Sequence, residues 1–310
     1  MPQYISARDV AGQLNWTMML EAFAAGHQFE VAEISDTLLG QGDLLLSRSA
    51  WIKGLGIGVK SVTIFPENGA YNLPSVQGAM TVFEDKTGQI EAILESDLVT
   101  NWKTAGDSVY GASLLARPDS QSLLIIGAGV VAENLIRAYS EVFLDLKFIQ
   151  VWNRTPARAD ALVTKMTGEG YHVTRADDLA AACQMADIIS TATMAKTPVI
   201  KGDWVTAGTH VDLIGAFTPD MREADDALMA KGRIFVDSRA TTIHEIGELM
   251  IPIASGVISE TDVIADYYDI AAGAKTRQSE GDITILKNGG GAHLDLMTAK
   301  AIMSAQNRSA

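Results

Sequence analysis

From Asp9 to about Ala25 the apolar residues Val10, Leu14, Met18, Leu20 and Phe23 recur at near-helical spacing, with Ser6 and Asp9 available as caps. An amphipathic helix is predicted there. Short runs rich in β-branched and apolar residues follow at 44–46, 57–65, 79–83 and 90–94. Turn chemistry separates them, at Pro66-Glu67-Asn68-Gly69 and Asp85-Lys86-Thr87-Gly88, which predicts one antiparallel or mixed sheet. The pattern returns to helix from Ser96 to Arg117, and Pro118 closes it. Beyond Pro118 the alternation becomes strand, helix, strand, helix, the sign of a parallel sheet with helices on both faces. Its strands are predicted at 122–126, 148–152, 186–191, 210–214 and 234–236. A last helix, from about Ala292 to Ser304, follows the turn Asn288-Gly289-Gly290-Gly291 and is expected to return to the first domain. The predicted fold class is α/β. A doubly wound parallel sheet spans 118–269, and a second α/β domain is built from 1–117 with 270–310.

The length of 310 residues suits two such domains, and 47% hydrophobic with 20% charged residues excludes a disordered chain. The balance of 24 basic against 38 acidic residues leaves a net charge of −14, which disfavours nucleic acid and anionic membranes as partners. An anionic ligand would therefore need a local island of cations. The single cysteine, Cys183, excludes an intrachain disulfide and a cysteine-based zinc site, and the five dispersed histidines do not match metal-ligand spacing; no metal is expected. The longest apolar stretch, 123–132, is about half a membrane span. The first thirty residues lack a secretory pattern, so a cytoplasmic protein is expected.

Gly127-Ala128-Gly129-Val130-Val131-Ala132 stands directly after the apolar run Leu123-Leu124-Ile125-Ile126 and before a helical pattern through Leu135, Ile136 and Tyr139. Gly127 permits a tight turn, Gly129 permits close approach of a pyrophosphate to the helix N-terminus, and Ala132 is small enough for close packing. This is a dinucleotide-binding signature in the right context. The next predicted strand ends in Trp152-Asn153-Arg154-Thr155, and Asn153 stands where an NAD-selective site usually places an acid. Asn153 and Thr155 offer hydrogen bonds, while Arg154 and Arg158 offer planar forks for a 2′-phosphate. NADPH/NADP+ is the expected cofactor, with NADH possible. Two arginines at a solvated helix start are the bland alternative.

The first domain supplies Arg48, Lys60 and Lys103. Lys60 interrupts the strand Gly58-Val59-Lys60-Ser61-Val62-Thr63-Ile64-Phe65, as an edge gatekeeper or a buried functional cation. Lys103 heads the helical stretch Asn101 to Ser108, where a positive charge is disfavoured unless an anion is bound, although a salt bridge to Asp107 would also explain it.

Together with Leu73-Pro74-Ser75-Val76-Gln77-Gly78, Trp102-Lys103-Thr104-Ala105, Gly215 through Pro219-Asp220 to Arg222-Glu223, and Val236-Asp237-Ser238, these segments resemble the ornithine cyclodeaminase/mu-crystallin family over almost the whole chain. The resemblance implies a Rossmann domain, an α/β dimerisation domain completed by the C-terminal helix, a homodimer, and small α-amino or α-imino acid substrates. By position Lys60 matches the family's active-site lysine, Lys103 replaces a carboxylate-binding arginine, and Arg48 is a looser candidate for another. Asp295 matches a family position suited to proton delivery, though a plain helix-face carboxylate is at least as good a reading. Gln77 is counted with the substrate-binding residues, and Thr193, Ile214 and Gly215 with those of the cofactor.

Two departures bear on the activity. Ornithine cyclodeaminases carry an Asp shortly after the glycine of Asp212-Leu213-Ile214-Gly215-Ala216-Phe217, and that place is Phe217 here. The Asn153-Arg154-Thr155 signature resembles the NADP(H)-using ketimine reductase branch. Both imply reduction of a cyclic ketimine, Δ1-pyrroline-2-carboxylate or Δ1-piperideine-2-carboxylate, to the cyclic amino acid. Ornithine cyclodeaminase, an amino-acid dehydrogenase and a non-enzymatic NADPH-dependent binding protein remain open as alternatives.

Overall fold

The computed structural model describes residues 2–309, with the side chain of 309 left out. Its chain forms two compact units, Met1–Gly106 with Gly290–Ala310, and Asp107–Gly289. The first is built on strands β1 (Gln3–Ile5), β2 (Glu33–Gln41), β3 (Asp43–Ile52), β4 (Gly56–Ile64), β5 (Val76–Phe83) and β6 (Ile90–Glu95), with helix α1 (Trp16–Gly26) between β1 and β2 and helix α2 (Ser96–Leu115) after β6. The sheet order is β1-β6-β5-β4-β3-β2, antiparallel from β2 to β6 with β1 added parallel, so the sheet is mixed. The first helix begins at Trp16 rather than Asp9. Asn15 caps it by accepting from Met18 N, and Gly12 in the left-handed region, at φ +73°, breaks any earlier start.

The second unit alternates β7 (Ser122–Ile126), α3 (Val130–Val142), β8 (Phe148–Trp152), α4 (Pro156–Gly168), β9 (Val173–Arg175), α5 (Leu179–Met185), β10 (Ile188–Thr191) and β11 (His210–Leu213). It continues with α6 (Asp226–Lys231), β12 (Arg233–Val236), α7 (Arg239–Thr242), α8 (Gly247–Ala254), β13 (Val263–Ala265), α9 (Tyr267–Ala271) and β14 (Thr284–Lys287). All eight strands pair in parallel, in the order β13-β12-β14-β11-β10-β7-β8-β9. Leu123, Leu124, Ile125 and Ile126 are fully buried, as a strand covered on both faces requires.

The expected domain limits need correction. Residues 270–289 belong to the second unit, because β14 inserts between β11 and β12 and completes the sheet. The division after residue 106 falls inside α2, not at Pro118. From Asp107 onward that helix packs on the second unit: Tyr267 OH donates to Asp107 Oδ1 at 2.8 Å, and a Cβ on Gly111 would meet Leu286 Cδ2 at 2.1 Å.

The last helix, α10 (Ala292–Ser309), joins the first unit. Leu296 lies over Gly58 on β4, Met297 fills the space at Gly26 of α1, and Lys300 pairs with Glu91 of β6. No described helix is long and apolar enough to cross a membrane.

Leu286 is fully buried on the central strand β14, so Leu286→Ala is expected to cost about 2–5 kcal/mol of stability in urea unfolding. A loss below about 1 kcal/mol would contradict its central place.

Candidate active site

In the first unit the pairing register aligns Asp36, Arg48, Lys60 and Met80 across β2 to β5. Side chains directly opposite one another share a face, and this row lies on the face that buries Lys60 and Met80. Lys60 is thus a buried cation, 6% exposed, not an edge gatekeeper. Its Nζ donates to Asp295 Oδ1 at 2.7 Å and to Thr100 Oγ1 at 3.3 Å. Asp295 projects from the first turn of α10 and is fully buried, which rules out a helix-face carboxylate.

Burial alone would raise the Asp295 pKa, but the charges of Lys60, Lys103 and Arg48 outweigh it and hold the carboxyl below its ordinary value. Its Oδ2 is buried with no hydrogen-bond partner. An ionised oxygen in that position favours a donor from a ligand.

Arg48 is clasped by Asp36, with Nε and Nη2 both 2.8 Å from Oδ2, and its Nη1 donates to Gly290 O at 2.7 Å. Lys103, 8% exposed, donates to the same carbonyl at 3.5 Å. One backbone oxygen therefore holds two cations side by side. Lys103 does not stand at a helix start as expected: α2 begins at Ser96 and Lys103 lies about two turns inside it. It is buried there beside Arg48. Burial pushes the His27 imidazole down to about 4 and that of His293 to about 3, so neither supplies a proton at neutral pH.

Gln77 is not brought to this cluster. It stands three residues from Met80 on β5, so the two-residue alternation turns it to the opposite face, where it is exposed and donates to Pro74 O.

In the second unit β7 ends at Gly127, whose φ of +130° and contact with Ala192 O, 2.5 Å from a hypothetical Cβ, admit only glycine. Gly129 is the N-cap of α3 and faces open space, so a phosphate can approach the helix's first N–H groups, while Ala128 and Val131 stay half-buried and Ala132 is buried against the sheet. Asn153 follows β8 and donates to Thr155 O at 3.0 Å. Arg154 and Arg158 are exposed beside the start of α4, whose first turn holds no acidic residue and whose N-cap Thr155 makes no side-chain cap. The cradle fits a dinucleotide.

The loops after β10 and β11 carry Thr193, Ile214 and Gly215. Behind them lies a buried charge cluster with no role in the sequence reading: Glu223, Glu248, Lys287 and Asp212. Lys287 Nζ donates to Leu213 O and Ala216 O, both at 2.8 Å. Glu248 accepts from the backbone N–H groups of Glu223 and Ala224 at 2.6 and 2.9 Å, and burial and then Glu223 push its pKa up to about 7. Asp212 accepts from Ser190 and Tyr139, and burial pushes it up to about 6. In the sequence, the segment 215–223 carries only a family likeness. Burial of its carboxylate arises from tertiary contacts that spacing does not encode. Phe217 in that segment is exposed.

A model of the ornithine cyclodeaminase/mu-crystallin family matches residues 25–309. The chain is 54% identical over 303 residues to a Δ1-pyrroline-2-carboxylate reductase of Paracoccus denitrificans, covering 97% of this chain and 96% of that protein. A solved Δ1-pyrroline-2-carboxylate reductase of Thermococcus litoralis, in complex with NADH and L-proline, superposes with a TM-score of 0.90 at 28% identity, covering 99% and 98% of the two chains. An archaeal alanine dehydrogenase dimer with bound NAD gives the same TM-score at 25% identity, covering 99% and 97%.

A Cβ on Gly290, at φ +68°, would meet Lys103 Nζ at 2.4 Å. Gly290→Ala is therefore expected to displace that ammonium and cost about 1–2 kcal/mol, read by urea denaturation. The raised carboxyls also predict a pH dependence. Their folded pKa values exceed the unfolded ones, so their contribution is complete below about pH 4 and is lost as pH rises through about 6 for Asp212 and about 7 for Glu248. Urea midpoints measured from pH 4.5 to 8 should fall across this window, and Glu248→Gln should flatten the upper part.

Proposed function

The chain belongs to the ornithine cyclodeaminase/mu-crystallin family, and we propose that it reduces a cyclic ketimine, Δ1-pyrroline-2-carboxylate or its six-membered homologue Δ1-piperideine-2-carboxylate, to the cyclic L-amino acid. The observation that carries this reading is the buried Lys60–Asp295 pair with one Asp295 oxygen left over. The N–H of a protonated cyclic imine is a donor that suits Asp295 Oδ2, and its positive charge suits an ionised carboxylate. Lys60 Nζ, beside it, supplies the proton that keeps the imine nitrogen charged. A protonated C=N accepts hydride far more readily than a neutral one.

Lys103 and Arg48 are assigned to the substrate carboxylate. Their shared acceptor, Gly290 O, is a neutral oxygen where a carboxylate would bind both cations more strongly. A bound reduced nicotinamide supplies the hydride. In the overall balance, C2 of the imine gains the hydride, the nitrogen retains its added proton, and the dinucleotide leaves oxidised.

The dinucleotide is assigned to Gly127 through Ala132, with Thr193, Ile214 and Gly215 along its nicotinamide half. We assign NADPH as the preferred form. Arg154 and Arg158 stand at a helix start whose first turn holds no acidic residue, an arrangement that favours a 2′-phosphate. The homodimer expected from the family resemblance is kept, as the archaeal alanine dehydrogenase is a dimer. A single buried thiol, Cys183, suits a reducing cytoplasm.

The test is NADPH oxidation at 340 nm with Δ1-pyrroline-2-carboxylate, run beside NADH and beside ornithine with an ammonia readout. Turnover should require NADPH and the imine, and Asp295→Asn should lower kcat about 10²- to 10⁴-fold. Arg154→Ser should raise the KM for NADPH about tenfold or more while leaving that for NADH nearly unchanged. Ammonia release from ornithine without net nucleotide turnover would overturn the assignment in favour of a cyclodeaminase.

A further inference from the structure

Glu223 lies in the loop between β11 and α6 and is completely buried. Its Oε1 accepts from Thr193 N at 2.8 Å and Thr193 Oγ1 at 2.6 Å; its Oε2 accepts from Thr191 Oγ1 and from Gly215 N, both at 2.7 Å. These four donors come from the ends of two neighbouring parallel strands, β10 and β11, and from the loops that leave them. The contact is close enough that a Cβ on Gly215 would fall 2.1 Å from Thr193 O and 2.4 Å from Glu223 Oε1. The carboxylate itself is held from behind, since the peptide N–H groups of residues 223 and 224 donate to Glu248.

The loop after β10 also meets the glycine turn. Ala192 N donates to Ile126 O at 2.7 Å, and Ala192 O closes over Gly127. The loops after β7, β10 and β11 therefore form one continuous rim at the carboxyl edge of the sheet, the place where open parallel sheets bind their ligands. Residues 192–193 and 214–215 lie on this rim, beside the glycine turn assigned to the pyrophosphate.

We propose that Glu223 is a positioning residue for the nicotinamide half of the dinucleotide: by tying Thr193 to Gly215 it fixes the two loops as one platform. The carboxylate does so with charge-assisted bonds at both oxygens, which an amide cannot reproduce because its NH2 group would face donors. This inference rests on the dinucleotide part of the proposed function and not on the identity of the imine.

The test compares NADPH with 2′,5′-ADP, which carries only the adenine half, by titration against wild type, Glu223→Gln and Thr193→Val, with a melting curve for each. In Glu223→Gln the Kd for NADPH should rise about tenfold or more, while that for 2′,5′-ADP changes less than about twofold. Thr193→Val, which removes one of the donors, should move the same ratio in the same direction by less, and it carries the test if Glu223→Gln does not fold. A general loss of structure would weaken both ligands equally. That outcome, or unchanged NADPH binding in a folded Glu223→Gln protein, overturns the proposal. A wild type that binds NADPH but turns over no imine would overturn the substrate assignment and leave the Glu223 test standing, whereas one that binds neither nucleotide would overturn both.

Discussion

Burying an ionised group removes its hydration, and the cost is several kcal/mol unless opposite charge or well-placed dipoles replace the lost water. Both units place charges inside under this constraint, and they meet it differently. In the first, Asp295 is matched by cations: Lys60 in contact, with Lys103 and Arg48 near. In the second, Glu223 is saturated by four N–H and O–H groups, and Lys287 combines two carbonyl acceptors with the charges of Glu248, Glu223, Asp237 and Asp212. Charge pairing leaves room for a ligand to exchange partners. Saturation by dipoles holds backbone in place.

This distinction explains why the cationic site can exist in a chain of net charge −14. Long-range repulsion of an anion is screened over about 8–10 Å at physiological salt, so the local island decides binding. Cross-strand register concentrates that island: Arg48 and Lys60 face each other on β3 and β4, where like charges would repel, and Asp36 on one flank and Asp295 above compensate them. Arg48 and Lys103 meet at Gly290 O.

What could be read from residues alone followed how local each signal was. The run from Leu123 to Ala132 specifies strand, turn and helix within a dozen positions, and the structure places β7, Gly127 and α3 there. Lys60 stood out because a charge broke an apolar strand. By contrast β2 was not anticipated, since its positions are nearly all exposed and carry no alternating apolar face. Strand β14 is short, and its insertion between β11 and β12 depends on pairings more than forty residues away in sequence. Gln77 was grouped with the site through its motif, yet the pleat turns it to the other face of the sheet. Glu223 is a carboxylate in a loop by sequence, and only tertiary structure buries it.

The contrast between Asp295 and Glu223 also bears on which substitutions a relative of this fold could tolerate while changing its chemistry. Asp295 has one oxygen engaged by Lys60 and one free, so altering its neighbours alters what the free oxygen can accept. Glu223 has no free oxygen, and any change there disturbs backbone at Thr193 and Gly215 at once. The first carboxylate can therefore accept a donor from a ligand, whereas the second already has both oxygens occupied by donors of the chain itself.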